Sequence, residues 1–133
     1  MNYKDEIGLL GENMTADYLK KCGFIILRRN YLSRYGEIDI VAEKGEYILF
    51  VEVKTREKDS PISPQGAVSR AKQKRIVRTA KEFLRKLMVE RDYRFDIAEV
   101  TYFVDENGEL HTSLNYIQNA FNEEVLKDYY KPF

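Results

Sequence analysis

Two short apolar runs carry charges where charges cost most. Gly36-Glu37-Ile38-Asp39-Ile40-Val41 and Ile48-Leu49-Phe50-Val51-Glu52-Val53-Lys54 set the carboxylates of Asp39 and Glu52 and the amine of Lys54 into segments suited to strands covered on both faces. An ionised carboxylate taken out of water must be paired, hydrogen-bonded or metal-bound, or its pKa rises until it is neutral. Side-chain alternation puts Glu52 and Lys54 on one face. With the intervening turn centred on Lys44 and Gly45, Asp39 lies opposite Phe50 and diagonal to Glu52, on that same face, at ~7 to 8 Å between Cα atoms. Two carboxylates so placed can share one hard cation, Mg²⁺ or Mn²⁺, which binds phosphate oxygens and lowers the pKa of a bound water. Lys54 then positions or activates that water and offsets charge on the phosphate. A one-residue change in turn length breaks this parity, and the competing reading is a surface hairpin with a Lys–Glu ladder.

The elements that must aim these groups follow from periodicity. Ile7, Leu10, Met14 and Tyr18 give Tyr3 to Cys22 the stripe of an amphipathic helix, which Gly23 stops. Phe24 to Leu27 predicts a first strand, and Glu37 to Ala42 with Tyr47 to Val53 an antiparallel hairpin. Ser60, Pro61, Ser63 and Pro64 mark a loop with a mobile tip between Lys54 and Gly66. Val68, Ala71, Ile76, Ala80, Phe83, Leu84 and Leu87 recur at helical spacing, so Ala67 to Glu90 predicts a long basic helix. Tyr93 to Val104 alternates as a strand, Asp105-Glu106-Asn107-Gly108 turns it, and Ser113 to Tyr129 is read as a short helix. The order α-β-β-β-α-β implies an α/β fold, one mixed sheet flanked by helices, within a single domain over residues 1–133.

Formal net charge is zero, which argues against an acidic partner only until the charge is divided along the chain. Residues 54–94 hold 13 Lys and Arg against 5 Asp and Glu, while both flanks are net acidic. No run approaches the ~18 to 20 apolar residues of a bilayer span, and no leader pattern opens the chain, so a cytoplasmic protein away from membranes is expected. The single cysteine, Cys22, is read as a small buried hydrophobe. His111 lacks a Ser, Cys or second His at useful spacing, which argues against a triad or zinc role, and no Gly-rich phosphate loop suggests ATP hydrolysis.

Gly11-Glu12 with Ala16 and Leu19, Gly23-Phe24, Asn30, Gly36-Glu37-Ile38-Asp39-Ile40, Phe50-Val51-Glu52-Val53-Lys54-Thr55-Arg56 and Arg94-Phe95-Asp96 together resemble the YraN-like family of uncharacterised proteins regarded as endonucleases. The likeness runs from about Ile7 to Val100. The family is similar to Holliday-junction resolvases and, more distantly, to the PD-(D/E)XK nucleases, which implies a restriction-endonuclease-like three-layer fold. It also implies that Asp39, Glu52 and Lys54 form the catalytic site, with Asp39 and Glu52 on the metal and Glu12 reaching in from the first helix. The superfamily's proline before the first acid is Ile38 here. Junction-cutting relatives work as dimers, which makes a homodimer an expectation too.

Beside such a site Arg70, Lys72, Lys74, Arg75, Arg78 and Lys81 are placed to contact phosphates, with Gln73 orienting a ligand as on the equivalent helix of some superfamily members. Tyr31, Arg34 and Tyr35 can stack on or clamp a distorted strand, although core or rim packing suits the tyrosines better. Asp96 is expected to balance a buried Arg or cap a turn. The readings are a Mg²⁺- or Mn²⁺-dependent DNA phosphodiesterase, an inactive nucleic-acid-binding or scaffold module of the same fold, and a protein-interaction domain whose basic helix meets an acidic partner.

Overall fold

A computed structural model describes residues 3–60 and 68–127. Helix α1 (Tyr3–Lys21) has Asp5 and Glu6 in its first turn and Lys20 and Lys21 in its last, charges matched to the helix dipole. It ends in a Schellman turn, with Phe24 N donating to Leu19 O, Gly23 N to Lys20 O, and Gly23 at φ +92°. Cys22 lies in this turn and is exposed rather than buried, because the chain reverses there at the surface. Strand β1 (Ile25–Leu32) runs further than expected, through Arg28 and Arg29, with a bulge between Ile26 and Arg28.

Strands β2 (Glu37–Lys44) and β3 (Tyr47–Glu57) form the predicted hairpin, but its turn sits one residue along. The last pair is Lys44 with Tyr47, and Gly45 at φ +60° takes the first central position, where a two-residue turn of type II′ needs positive φ. Centring the turn on Lys44 would force that φ on a lysine. Because the turn keeps its length, every cross-strand partner moves by two residues and no side chain changes face. The observed register, which pairs Ile40 with Val51, carries Asp39 to a position opposite Glu52 instead of opposite Phe50.

Strand β3 runs on to Glu57, so Lys54 is a strand residue rather than the start of a loop; Pro61, Ser63, Pro64, Gly66 and Ala67 lie outside the described residues. Helix α2 (Arg70–Leu87) begins at an Ser69 cap whose side chain accepts from Lys72 N at 3.1 Å. Strand β4 (Asp92–Val104) lies parallel to β3, and β5 (Leu110–Phe121) returns antiparallel to β4. A 3-10 turn spans Glu123–Leu126. The predicted Ser113 to Tyr129 helix is therefore corrected to a strand and this turn, the last residues lying outside those described. Its apolar spacing looks helical because the β4–β5 register slips between Phe95 and Ile97, with Asn119 at φ +52°, which breaks the two-residue alternation.

The order α-β-β-β-α-β-β gives a mixed sheet β1-β2-β3-β4-β5 between two helical layers, the expected three-layer arrangement. On the α2 side Phe50, Phe95 and Phe121 stack, and Phe83 meets Phe50 edge-on. On the α1 side Ala16 and Leu19 cover Ile40, Leu49, Val51 and Ala98. The helix comes so close to β3 that a Cβ on Gly11 would lie 2.0 Å from Thr55 Oγ1. Among the described residues no helix is long and apolar enough to cross a membrane.

Candidate metal centre

Alternation along β3 sends Ile48 and Phe50 into the α2-side core, and Glu52 and Lys54 continue that face. Asp39 joins them where β2 and β3 cease to pair: its Oδ2 accepts from Val53 N at 2.8 Å, replacing the next ladder bond. The Asp39 and Glu52 carboxyls lie within hydrogen-bonding reach of each other. Burial pushes both carboxyls up, Glu52 to about 7, where the Asp39 charge adds to the rise and Lys72 opposes it. The two line a cavity of about 220 Å³ with Gly36, Glu37, Lys72, Arg75 and Ile76.

Glu12 approaches from α1. Arg29 Nη2 lies 3.7 Å from its Oε1, and the Asn30 amide, oriented to donate, is 3.1 Å from Glu12 Oε1 and 2.9 Å from Glu37 Oε1. Burial, and next the Asp39 charge, raise the Glu12 carboxyl, while Arg29 pulls it down. Glu12 thus feels the acid pair but stands beside it. Lys54 is half-buried in the same strand, and among the described residues its side chain has no hydrogen bond or ion pair.

The basic helix divides sharply. Lys72 Nζ lies 2.5 Å from Glu52 Oε1, and Arg75 lines the same cavity, its Cβ 3.3 Å from where one on Gly36 would be. Gln73 instead donates to Val68 O at 3.1 Å within the start of its own helix, Arg70 donates to Lys127 O, and Lys81 pairs with Glu123. Lys74 is half-buried and Arg78 exposed, neither in the cavity. Tyr31 is core, edge-on to Phe83, whereas Arg34 and Tyr35 stack on each other at the surface. Sequence reasoning missed Glu37, although its place two residues before Asp39 on the same strand signalled it. It also missed Arg29 and Asn30, which only the β1–β2 pairing brings in.

Asp96 is fully buried and lies elsewhere. Arg94 Nε donates to both its oxygens at 3.0 and 3.1 Å, Tyr116 Oη to Oδ2 at 2.6 Å and Asn119 N to Oδ1 at 2.8 Å, so it balances an Arg and pins the β5 bulge. His111 has company that the sequence did not reveal: ligand atoms of Asp105, Glu109 and His111 lie within 4.8 Å of one another at the β4–β5 turn, with His111 Nε2 2.7 Å from Asp105 Oδ2. This trio, with Glu109 and His111 exposed and Asp105 half-buried, could hold a cation, but Asp105 Oδ1 is already engaged by the Asn107 and Glu109 N–H groups of the turn.

The residues gathered at Asp39 and Glu52 fall within one stretch of recognisable sequence. Residues 11–100 match the uncharacterised protein family UPF0102. The chain is 43% identical over 116 residues to a UPF0102 protein of Alkaliphilus metalliredigens, covering 86% of this chain and 96% of that one. A UPF0102 protein of Dictyoglomus thermophilum is 43% identical over 122 residues, 91% of this chain and all of the relative, and one of Clostridium perfringens is 40% identical over 120 residues, 90% and 96% of the two chains. With Glu12, Asp39, Glu52, Lys54 and the Lys72 turn of α2 all inside the matched stretch, the protein is a member of UPF0102, the uncharacterised family to which its YraN-like motifs pointed.

Proposed function

We propose that the protein is a Mg²⁺- or Mn²⁺-dependent nuclease that hydrolyses phosphodiester bonds of DNA at branched or deformed structures. The observation that carries this reading is the opposed pair of carboxylates, Glu52 buried and Asp39 half-buried, with a lysine two residues beyond Glu52 on the same strand face. Glu52 is only 3% exposed and faces a second carboxylate whose charge adds to burial in pushing its pKa up, a placement that a divalent ion relieves. The donor set is all oxygen, as hard Mg²⁺ and Mn²⁺ prefer, so the residues fit such an ion.

Asp39 and Glu52 would hold the ion, which supplies a bound water of lowered pKa and charge to polarise a phosphoryl oxygen. The chain's own residues do the rest. Val53 N fixes the Asp39 carboxylate, leaving its other oxygen for the site. Lys54, uncommitted among the described residues, is available to orient the attacking water and to offset charge on the phosphate. Arg75 at the cavity rim and exposed Arg78 further along α2 can meet the backbone of the strand without choosing a sequence. The likeness to junction resolvases and PD-(D/E)XK nucleases favours the same reading, and cutting two strands at a junction calls for two copies of the site.

The test is cleavage of a panel of linear, flapped and four-way DNA with Mg²⁺ or Mn²⁺. Cutting is expected only with the ion, and Lys54→Ala should lose it by at least about a thousandfold, about 4 kcal/mol of barrier, while still binding DNA. Undiminished cutting by that variant ends this mechanism. Binding without cutting across the panel makes the protein a DNA-binding or scaffold module instead.

A further inference from the structure

Lys72 stands out among the cations of α2. The first turn of this helix holds no acid, and Lys72 sits within it with its N–H capped by Ser69, at the end where the helix dipole disfavours a positive side chain. Helix stability therefore does not account for a lysine here. What the position offers is reach: Nζ closes on Glu52 Oε1 at 2.5 Å, and its charge also acts on Asp39. The two ends of this pair differ in exposure. Glu52 is 3% exposed and Lys72 39%, so the amine lies between the acid pair and solvent, on a helix turn that Ser69 caps.

We propose that Lys72 is a tethered counter-cation that occupies the charge position of the divalent ion at Asp39 and Glu52 and must withdraw before that ion can bind. The inference rests on the metal-site reading and adds a regulatory role to it: metal affinity is set by competition with an internal ammonium. Rotation about the side-chain bonds of Lys72 is enough to vacate the position, since its exposed side already faces water and its backbone need not move. Arg75, on the next turn, lines the same cavity without an ion pair to either acid, so the competition is specific to Lys72.

The experiment is calorimetric titration of Mn²⁺ alone into the full chain at pH 8, with circular dichroism to show that each variant is folded. Lys72→Met is expected to bind Mn²⁺ about tenfold more tightly than the wild type, the worth of one displaced charge-assisted hydrogen bond. Lys72→Arg, which keeps the charge, should stay close to the wild type, and Asp39→Asn should abolish the tight site. Lys72→Gln substitutes for the Met variant should that one not fold. Unchanged or weaker Mn²⁺ binding in the neutral variants, or Lys72→Arg behaving like them, overturns the proposal. A wild-type protein that binds Mn²⁺ through Asp39 but cuts no DNA sinks the nuclease reading and leaves this one standing. No Mn²⁺ binding in any variant sinks both.

Discussion

Two places in this sheet bury carboxylates, and they are solved in opposite ways. Asp96 is met by the Arg94 guanidinium, a tyrosine hydroxyl and a backbone N–H, so each oxygen has donors and its charge has a partner. Asp39 and Glu52 are set against each other, with one backbone N–H and one half-exposed lysine as the counterweight, and burial pushes both carboxyls up. The first arrangement holds a bulge in place. The second leaves two carboxyls facing each other at a cost that the proposed metal ion would relieve, and that difference is what the proposed function reads as a structural acid against a site acid.

Removing the structural acid should have the largest effect. Asp96→Ala takes a buried partner from half-buried Arg94 and Tyr116 and from Asn119 N, and a loss of about 3 kcal/mol is expected by urea unfolding; a loss below about 1 kcal/mol would erase the contrast. Of these two regions, added metal should act on the second and not on Asp96. Mn²⁺ at a hundredfold excess over its Kd should stabilise the wild type by about 2.7 kcal/mol and Asp39→Asn hardly at all, read from the same unfolding curves.

The two regions should also separate with pH. The Glu52 carboxyl titrates near 7 in the folded chain against an ordinary value of 4.5, so the native state keeps a proton that the unfolded state has released. Without divalent ions stability should therefore fall as pH rises from about 4.5 through about 7. Glu52→Gln should flatten that slope and, at pH 8, stabilise the metal-free protein by on the order of 2 kcal/mol; a steeper slope in this variant contradicts the assignment. The smallest effect belongs to Tyr116→Phe, which removes one of several donors to Asp96 and should cost about 1 kcal/mol with no change in metal binding.

How far all this was legible depended on whether the determinants were local. The β2–β3 hairpin reads from Gly45, and misplacing its turn by one residue did no harm because parity depends on turn length rather than position. Strand β5 did not read, because the irregularity at Asn119 gives Leu114, Ile117 and Phe121 the spacing of a helix. Within the site, Asp39, Glu52 and Lys54 announced themselves as charges in apolar strands. Glu12 came only through family likeness, since nothing on α1 shows that Asn30 and Arg29 meet it. Lys72 appeared as one of many basic residues. Its pairing with Glu52 depends on where the chain returns after β3, which no periodicity records.

That return path has a consequence of its own. Strands β3 and β4 are parallel neighbours, so after delivering Glu52 and Lys54 the chain must travel back along the sheet before β4 can start at Asp92 beside Tyr47. The 18-residue helix α2 makes most of that journey, about 27 Å. Its opening turn is thereby moored over the far end of β3 by connectivity alone. The polypeptide route, more than any one side chain, decides that a cation and a helix's positive pole arrive together above the acids. Extensive exchange of surface residues would leave that meeting intact so long as the crossover itself endures.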